Sequence, residues 1–277
     1  MKKLLVKIWR LAAKLLSRVL DARRDDEIAT QNLGRILWVR LDHIGDVTMS
    51  LPALGALRRR YPDAQIDVLV RPVCAPLLRD LSIINRVLTY DSPRFPQRKN
   101  TRGAGLWRTL FFIGRLRRQN YDIAIDARGD DIARLLIYLA RVPLRLGFDR
   151  AFYEAPDAPN LKFLLTHAVE FPCEPRHAVR NNLALMRVLD VPQNEEEIAP
   201  QTHPLRELLT EENASRVAAK LQKLGASQNL IVIHISANDA ARNWQIEKWA
   251  QVADELVESQ GAVILLSGAA SDDAANE

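Results

Sequence analysis

With 277 residues, 48% of them hydrophobic and 26% charged, the chain has the composition of a folded globular protein, and its length favours two domains over one. The net charge of +5 points to an anionic partner, whether phosphorylated lipid, nucleotide or nucleic acid. No zinc-finger, RRM-like or basic-aromatic signature supports nucleic acid, and no run approaches the ~18 apolar residues of a spanning helix. Cys74 and Cys173 have neither CxxC nor Cys/His ligand spacing, which argues against a structural zinc site and a disulfide-stapled secreted scaffold and makes a reducing cytoplasm the expected compartment.

The first predicted element is a basic amphipathic helix within residues 1–30, in MKKLLVKIWRLAAKLLSRVLDARR. Lys3, Lys7, Arg10, Lys14 and Arg18 recur at spacings of three and four, so a helix gathers them on one stripe and leaves the rest, from Leu4 to Leu20, apolar apart from Ser17. Charges every few positions break the apolar run of ~7 residues that a secretory signal needs. Two readings stay open, a helix lying in the headgroups of an anionic membrane and a helix docking its apolar face on protein.

From Arg35 onward, short β-branched runs alternate with helical stretches. ILWVRL (36–41), QIDVLV (65–70), RVLTYD (86–91) and YDIAIDAR (121–128) read as buried parallel strands, and VTMSLPALGALRRRY, APLLRDL and GLWRTLFFIGRLRRQN between them as helices. This alternation predicts right-handed βαβ units and a doubly wound sheet over 34–195. DSPRFPQRKNTRGAG (91–105) is a polar loop, HAVRNNLALMRVLD a helix and VPQNEEEIAPQTHP (191–204) a linker. The pattern restarts over 200–277, with ENASRVAAKLQKLG and IEKWAQVADELVESQG as helices and NLIVIHIS (229–236) and AVILLSG (262–268) as strands. Two strands and a few helices do not close an α/β layer, so this second domain reads as partial.

Ligands of an open parallel sheet bind beyond the carboxyl ends of its strands. HIGD (43–46) is such a loop: Gly45 permits a tight turn, and Asp46 opens a helix at its partially positive end, a position open to a capping acid and to a catalytic one. DARGDD (126–131) follows the fourth strand; its acids suit a metal or a helix cap, and Arg128 suits a phosphate or carboxylate. In the second domain SANDAARNWQIEKW opens a helix beside small polar residues, with Arg242 set to neutralise a diphosphate. Trp244 and Trp249 read there as packing groups rather than base-stacking ones. GAGLWR (103–108) lacks the third glycine and the preceding strand of a dinucleotide fingerprint, and no Walker A, GxSxG or HExxH motif occurs.

The run RLDHIGDVTMSLPALGALRRRYPDAQIDVLV closely resembles the amino-terminal signature of the glycosyltransferase family 9 heptosyltransferases, which add heptose to lipopolysaccharide. YDIAIDARGDDIARLLIYLARVPLRLGFD, HAVRNNLALMRVLD and HISANDAARNWQIEKWAQVADELVESQGAVILLSG are similar to that family in the expected order, so the resemblance extends over residues 35–277. It implies an α/β fold of GT-B type, two Rossmann-like doubly wound domains with an acceptor-binding one first, a nucleotide-sugar-binding one second and catalysis in the cleft between them. It implies inverting transfer of heptose or a related sugar from an ADP-sugar donor to the anionic lipopolysaccharide core or lipid A acceptor, with Asp46 as general base. Arg40, Asp42, Gly45 and Arg128 are implied on the acceptor side and Ser236, Asn238 and Arg242 on the donor side, without a metal or other cofactor. The implied place is the cytoplasmic face of the inner membrane, with no nucleic-acid partner.

The chain departs from the family pattern in three places. HISA (234–237) stands for HPGA, and R-N-W-Q (242–245) stands for K-x-W-P, where Arg242 keeps the charge of the usual lysine but changes its geometry. The later Asp-x-Gly-x-x-His donor motif falls beyond Glu277. A non-catalytic membrane-surface or assembly protein is the rival reading.

Overall fold

The run RILWVR forms the centre of a parallel sheet. The computed structural model of the protein describes residues 23–24, 33–91, 104–150, 161–171, 177–192, 203–223, 229–235 and 243–268, and the chain divides into two units, Met1–Leu208 and Leu209–Glu277. In the first unit the described residues form strands β1 (Arg23–Arg24), β2 (Arg35–Arg40), β3 (Gln65–Val70), β4 (Arg86–Thr89), β5 (Ile123–Asp126), β6 (Leu144–Phe148) and β7 (His167–Val169). Every pairing is parallel, in the order β1-β7-β6-β5-β2-β3-β4. Counted from β2, the order across β4 to β7 is the 3-2-1-4-5-6 of a Rossmann sheet, whose direction of winding reverses between β2 and β5.

Helices α1 (Ile44–Thr48), α2 (Leu51–Arg60), α3 (Ala75–Leu78), α4 (Ala104–Arg117), α5 (Asp131–Leu139) and α6 (Ala178–Ala184) cover this sheet. Alternate residues of β2 point to opposite faces. Ile36 and Trp38 join a cluster with Leu51, Leu54 and Leu57 of α2 and Val179 and Leu183 of α6. Leu37 and Val39 join another with Ile113 and Leu116 of α4 and Leu136 and Ile137 of α5. Both faces are therefore buried, which is why the strand is a continuous apolar run rather than an alternating one.

Several elements differ from the sequence reading. The helix expected over VTMSLPALGALRRRY is two helices, because Pro52 in the first turn of α2 has no N–H to give and its ring excludes the carbonyl four residues back. The Ser50 hydroxyl at the junction donates to the Val47 carbonyl at 2.7 Å. Strands β6 and β7 escape the sequence reading because they are short and interrupted. Arg145 breaks the apolar run of β6, and Gly147 sits in a tight place, since a Cβ would lie 3.1 Å from Leu165 Cδ1 and 3.3 Å from Asp126 Cβ. The basic helix expected within 1–30 does not continue through Arg23–Arg24, which add to the open edge of β7 in the register Arg23↔His167 and Arg24↔Ala168. The rest of that expected helix lies outside the described residues.

The linker expected over 191–204 also ends differently. Before the chain leaves the first unit, a 3-10 turn over Pro204–Leu208 docks on it. The Glu207 carboxylate accepts from the Ser82 N–H at 2.8 Å and its hydroxyl at 2.9 Å, Pro204 is buried, and His203 Nε2 is 3.2 Å from the Thr48 carbonyl oxygen.

In the second unit the described residues form α7 (Glu211–Lys223), β8 (Leu230–His234), α8 (Ile246–Gln260) and β9 (Val263–Ser267). β8 and β9 pair in parallel from Leu230↔Val263 to His234↔Ser267. α8 stops at Gly261, whose φ of 60° is left-handed and costs a glycine little. Trp249 is half-buried, but Trp244 is exposed rather than packed in a core; the two rings meet edge-on at 5.2 Å.

Candidate functional site

The loops that leave β2 and β5 flank the reversal of the sheet, and both are built from buried ionic side chains. Val39 of β2 pairs with Asp126 of β5, so Arg40 and Ala127 begin the two loops side by side. Arg40 is 1% exposed. Its Nη1 donates to the Ala127 carbonyl and, at 3.1 Å, to Asn182 Oδ1 on α6. Its Nη2 lies 3.4 Å from Asp42 Oδ2 and 3.8 Å from Asp46 Oδ1.

Arg128 faces the same acid from the other loop. Its Nε is 3.4 Å from Asp42 Oδ2, and its Nη1 donates to the Leu41 carbonyl at 3.0 Å and to Asp130 Oδ2 at 3.1 Å. Asp42, 1% exposed, thus sits between two guanidinium groups. Burial pushes its carboxyl above the ordinary range; Arg128 and Arg40 pull the other way, Asp46 adds to the rise, and the His43 N–H, 3.1 Å from Oδ1, opposes it. Burial likewise lowers the Arg40 guanidinium, against the pull of Asp42 and Asp46. Such a buried set contributes little net stability, yet deleting one partner strands the others.

The DARGDD loop is shaped by its first acid. Asp126 is fully buried, and its Oδ1 accepts from the N–H groups of Arg128 at 3.3 Å, Gly129 at 3.0 Å and Asp130 at 3.3 Å. Its Oδ2 accepts from Arg134 Nε at 3.0 Å, while Arg134 Nη2 donates to the Phe148 carbonyl at 2.6 Å. Asp130 is the N-cap of α5, accepting from the N–H of Ile132 at 2.7 Å and of Ala133 at 3.3 Å. Of the two roles open to these acids, Asp130 takes the cap. Among the described residues, no group of three His, Cys, Asp or Glu side chains is placed to hold a metal ion.

Asp46 differs from the buried Arg40, Asp42 and Arg128 in reaching the surface. It lies in the first turn of α1, and its side chain is 19% exposed with Arg40 behind it. Beside it Gly45 is helical, not left-handed, so the turn does not require glycine; a Cβ there would meet nothing within 4 Å. His43 is exposed, with Nδ1 3.5 Å from Arg71 Nη1.

Of the residues expected on the acceptor side, Arg40, Asp42 and Arg128 are gathered at one place but turned inward. Two residues the sequence reading passed over, Arg134 and Asn182, complete the site together with Asp126 of the DARGDD loop. Asn182 Nδ2 also donates to the carbonyls of Ala178 at 2.8 Å and Met49 at 3.3 Å. Its signal was a pair of asparagines set among apolar residues of a helix, since Asn181 and Asn182 are both buried while Arg180 is exposed. Ser236, Asn238 and Arg242 lie outside the described residues.

An all-parallel, doubly wound sheet with a part-exposed acid at its reversal point, backed by buried arginines, belongs to the α/β class that holds small ligands at strand ends. Residues 110–277 match the family model of glycosyltransferase family 9 (heptosyltransferase), and the chain belongs to that family. It is 24% identical over 231 residues to lipopolysaccharide heptosyltransferase 3 of Escherichia coli, covering 83% of this chain and 63% of that protein. It is 26% identical over 244 residues to lipooligosaccharide heptosyltransferase 2 of Haemophilus ducreyi, covering 86% of this chain and 64% of that protein. The chain therefore spans less than two thirds of the length of these relatives. Among solved structures, E. coli heptosyltransferase WaaC with ADP-2-deoxy-2-fluoro heptose matches with a TM-score of 0.66 at 19% identity, over 87% of this chain and 71% of that one. E. coli ADP-heptose LPS heptosyltransferase II matches with a TM-score of 0.61 at 23% identity, over 87% of this chain and 66% of that one. The fold is α/β of the GT-B type.

Proposed function

We propose that the protein is an inverting glycosyltransferase that moves a heptose, or a related sugar, from an ADP-sugar to the anionic core of a lipopolysaccharide acceptor at the cytoplasmic face of a membrane. The observation that carries this reading is the position of Asp46, a part-exposed carboxylate at the reversal point with a buried cation 3.8 Å behind it. The identities of the relatives and the ADP-sugar analogue held by the E. coli neighbour supply the substrate class.

In this reading Asp46 takes the proton of an acceptor hydroxyl while that oxygen attacks the anomeric carbon of the donor. The bond from that carbon to the diphosphate breaks on the opposite side, its electron pair leaves with ADP, and the configuration inverts. Open space beside Gly45 suits close approach of a sugar to the acid. Arg40, Asp42 and Arg128 are too buried to grip an acceptor, so we assign them to holding Asp46 and its loop in place. We assign the donor diphosphate to Arg242, Ser236 and Asn238, in the stretch of sequence that leads into α8, and propose that no metal is required.

Asp46→Asn and Asp46→Ala test the assignment. Transfer from ADP-heptose should fall by about 10²–10⁴-fold while ADP binding, followed by calorimetric titration, stays unchanged. Turnover close to that of the unaltered protein in either variant removes Asp46 from the mechanism.

A further inference from the structure

The crossover helix α4 buries one side and leaves an unusual set of side chains on the other. Ile113 and Leu116 pack against the sheet with Tyr90, and Phe112 is partly buried beside them. The opposite side carries Trp107 and Phe111, 75% and 74% exposed, with Leu110 next to them. Positions 107, 111, 115 and 118 recur at spacings of four and three and form one stripe. Arg108, Arg115, Arg117 and Arg118 are exposed on or beside it, and the sequence from 104 to 121 contains no acid.

The charge decides what covers this face. Two aromatic rings one turn apart, held in water, favour an apolar contact, and four arginines without a carboxylate favour an anionic one. An anionic bilayer offers both at once: rings enter the headgroup boundary while arginine stems lie along it with their charges outward. A protein partner would need an apolar pocket ringed by carboxylates. No helix among the described residues is long and apolar enough to cross a membrane, so contact at this face is peripheral.

Two hydrogen bonds orient the helix on the sheet. The hydroxyls of Tyr90, just past β4, and Thr109 are 3.0 Å apart, and at the other end Arg86, the first residue of β4, donates to Gln119 Oε1 at 2.7 Å. The amino half of α4 therefore lies at the carboxyl edge of the sheet. That is the edge from which the loops bearing Asp46 and Arg128 leave.

We infer that the Trp107–Phe111 face of α4, rimmed by Arg108, Arg115 and Arg118, seats on an anionic lipid bilayer and sets the Asp46 edge of the first unit beside the surface in which a lipid-linked acceptor lies. The acceptor in this statement rests on the proposed glycosyltransferase activity; the lipid contact does not.

The whole chain, mixed with vesicles of phosphatidylglycerol and phosphatidylethanolamine, should co-sediment, and should stay in solution with phosphatidylcholine alone or at high salt. The double variant Trp107→Ser with Phe111→Ser, and separately Arg115→Glu with Arg118→Glu, should each lower the partition coefficient by about tenfold or more, with Tm and ADP titration unchanged. Trp107→Phe should keep most of the binding and so separates loss of the apolar contact from any loss of fold. The inference is overturned if the serine variant binds anionic vesicles as well as the unaltered protein does. It is equally overturned if the unaltered protein ignores them and instead self-associates or pairs with a protein through this face. Vesicle binding needs no turnover and ADP titration needs no vesicle, so this inference and the proposed activity can fail independently.

Discussion

Arg40 and Asp46 lie 3.8 Å apart, one at the end of the central strand and the other in the first turn of the helix that follows, and only the acid reaches solvent. The cation is held on its far side by the Ala127 carbonyl and Asn182 Oδ1. A cation on that side favours the orientation of the carboxylate toward the strand end, which is what a base acting on a bound hydroxyl requires.

Arg40 should accordingly act as a positioning residue. Arg40→Met leaves Asp42 with one cation fewer in a buried setting and should destabilise the fold by about 3–5 kcal/mol, read from urea unfolding midpoints. In a transfer assay below the melting range, kcat should fall with little change in the donor KM. Arg40→Lys keeps the charge but lacks the planar fork that reaches four partners, so it should recover part of kcat. Equal loss of kcat and of donor affinity would assign Arg40 to binding instead.

Asp131 sets a pH dependence that can be isolated. Burial pushes its carboxyl up to about 6, against the Leu161 N–H at 3.4 Å and the Arg134 charge, from an ordinary value of 3.8. The folded state therefore holds this proton more tightly than the unfolded chain. The resulting stability is fully present below pH 3.8 and lost as pH rises through about 6. Asp131→Asn keeps an acceptor for Leu161 and removes the titration, so it should be more stable than the unaltered protein at pH 7 and lose that advantage near pH 4. Parallel unfolding midpoints across that window would refute the assignment.

Gly147 is a packing constraint on β6. Gly147→Val adds three carbons where a single Cβ already meets Leu165 at 3.1 Å and the Asp126 side chain at 3.3 Å. Overpacking of this kind should cost about 1–3 kcal/mol. The added strain falls on the acid that organises the Arg128–Asp130 turn. A midpoint equal to that of the unaltered protein would mean that Leu165 moves aside freely.

Strands β2 and β5 were legible in the sequence because burial on both faces leaves an apolar run, β3 because five of its six residues still read as a strand around the one buried acid, Asp67, and the α/β class followed from their alternation with helices. The loop of Asp46 was legible because a polar, glycine-containing turn followed such a run directly. Strands β6 and β7 were not, since three to five residues with an arginine, a glycine or a histidine among them carry no usable period.

Direction was the other thing hidden. Arg40, Asp42 and Arg128 look from sequence like groups offered to a ligand, and the fold turns them toward one another. Arg40 meets Asn182 across 142 residues of sequence, and the reversal of strand order between β2 and β5 is what brings the two loops together.

Local order along the chain, being encoded in the period of apolar side chains, was determined by the sequence by itself: the class of fold, the two-part organisation and the acid at the strand end. Which ionic groups are buried together and which one is left facing solvent was decided only by tertiary structure, because desolvation and pairing depend on neighbours far away in the chain.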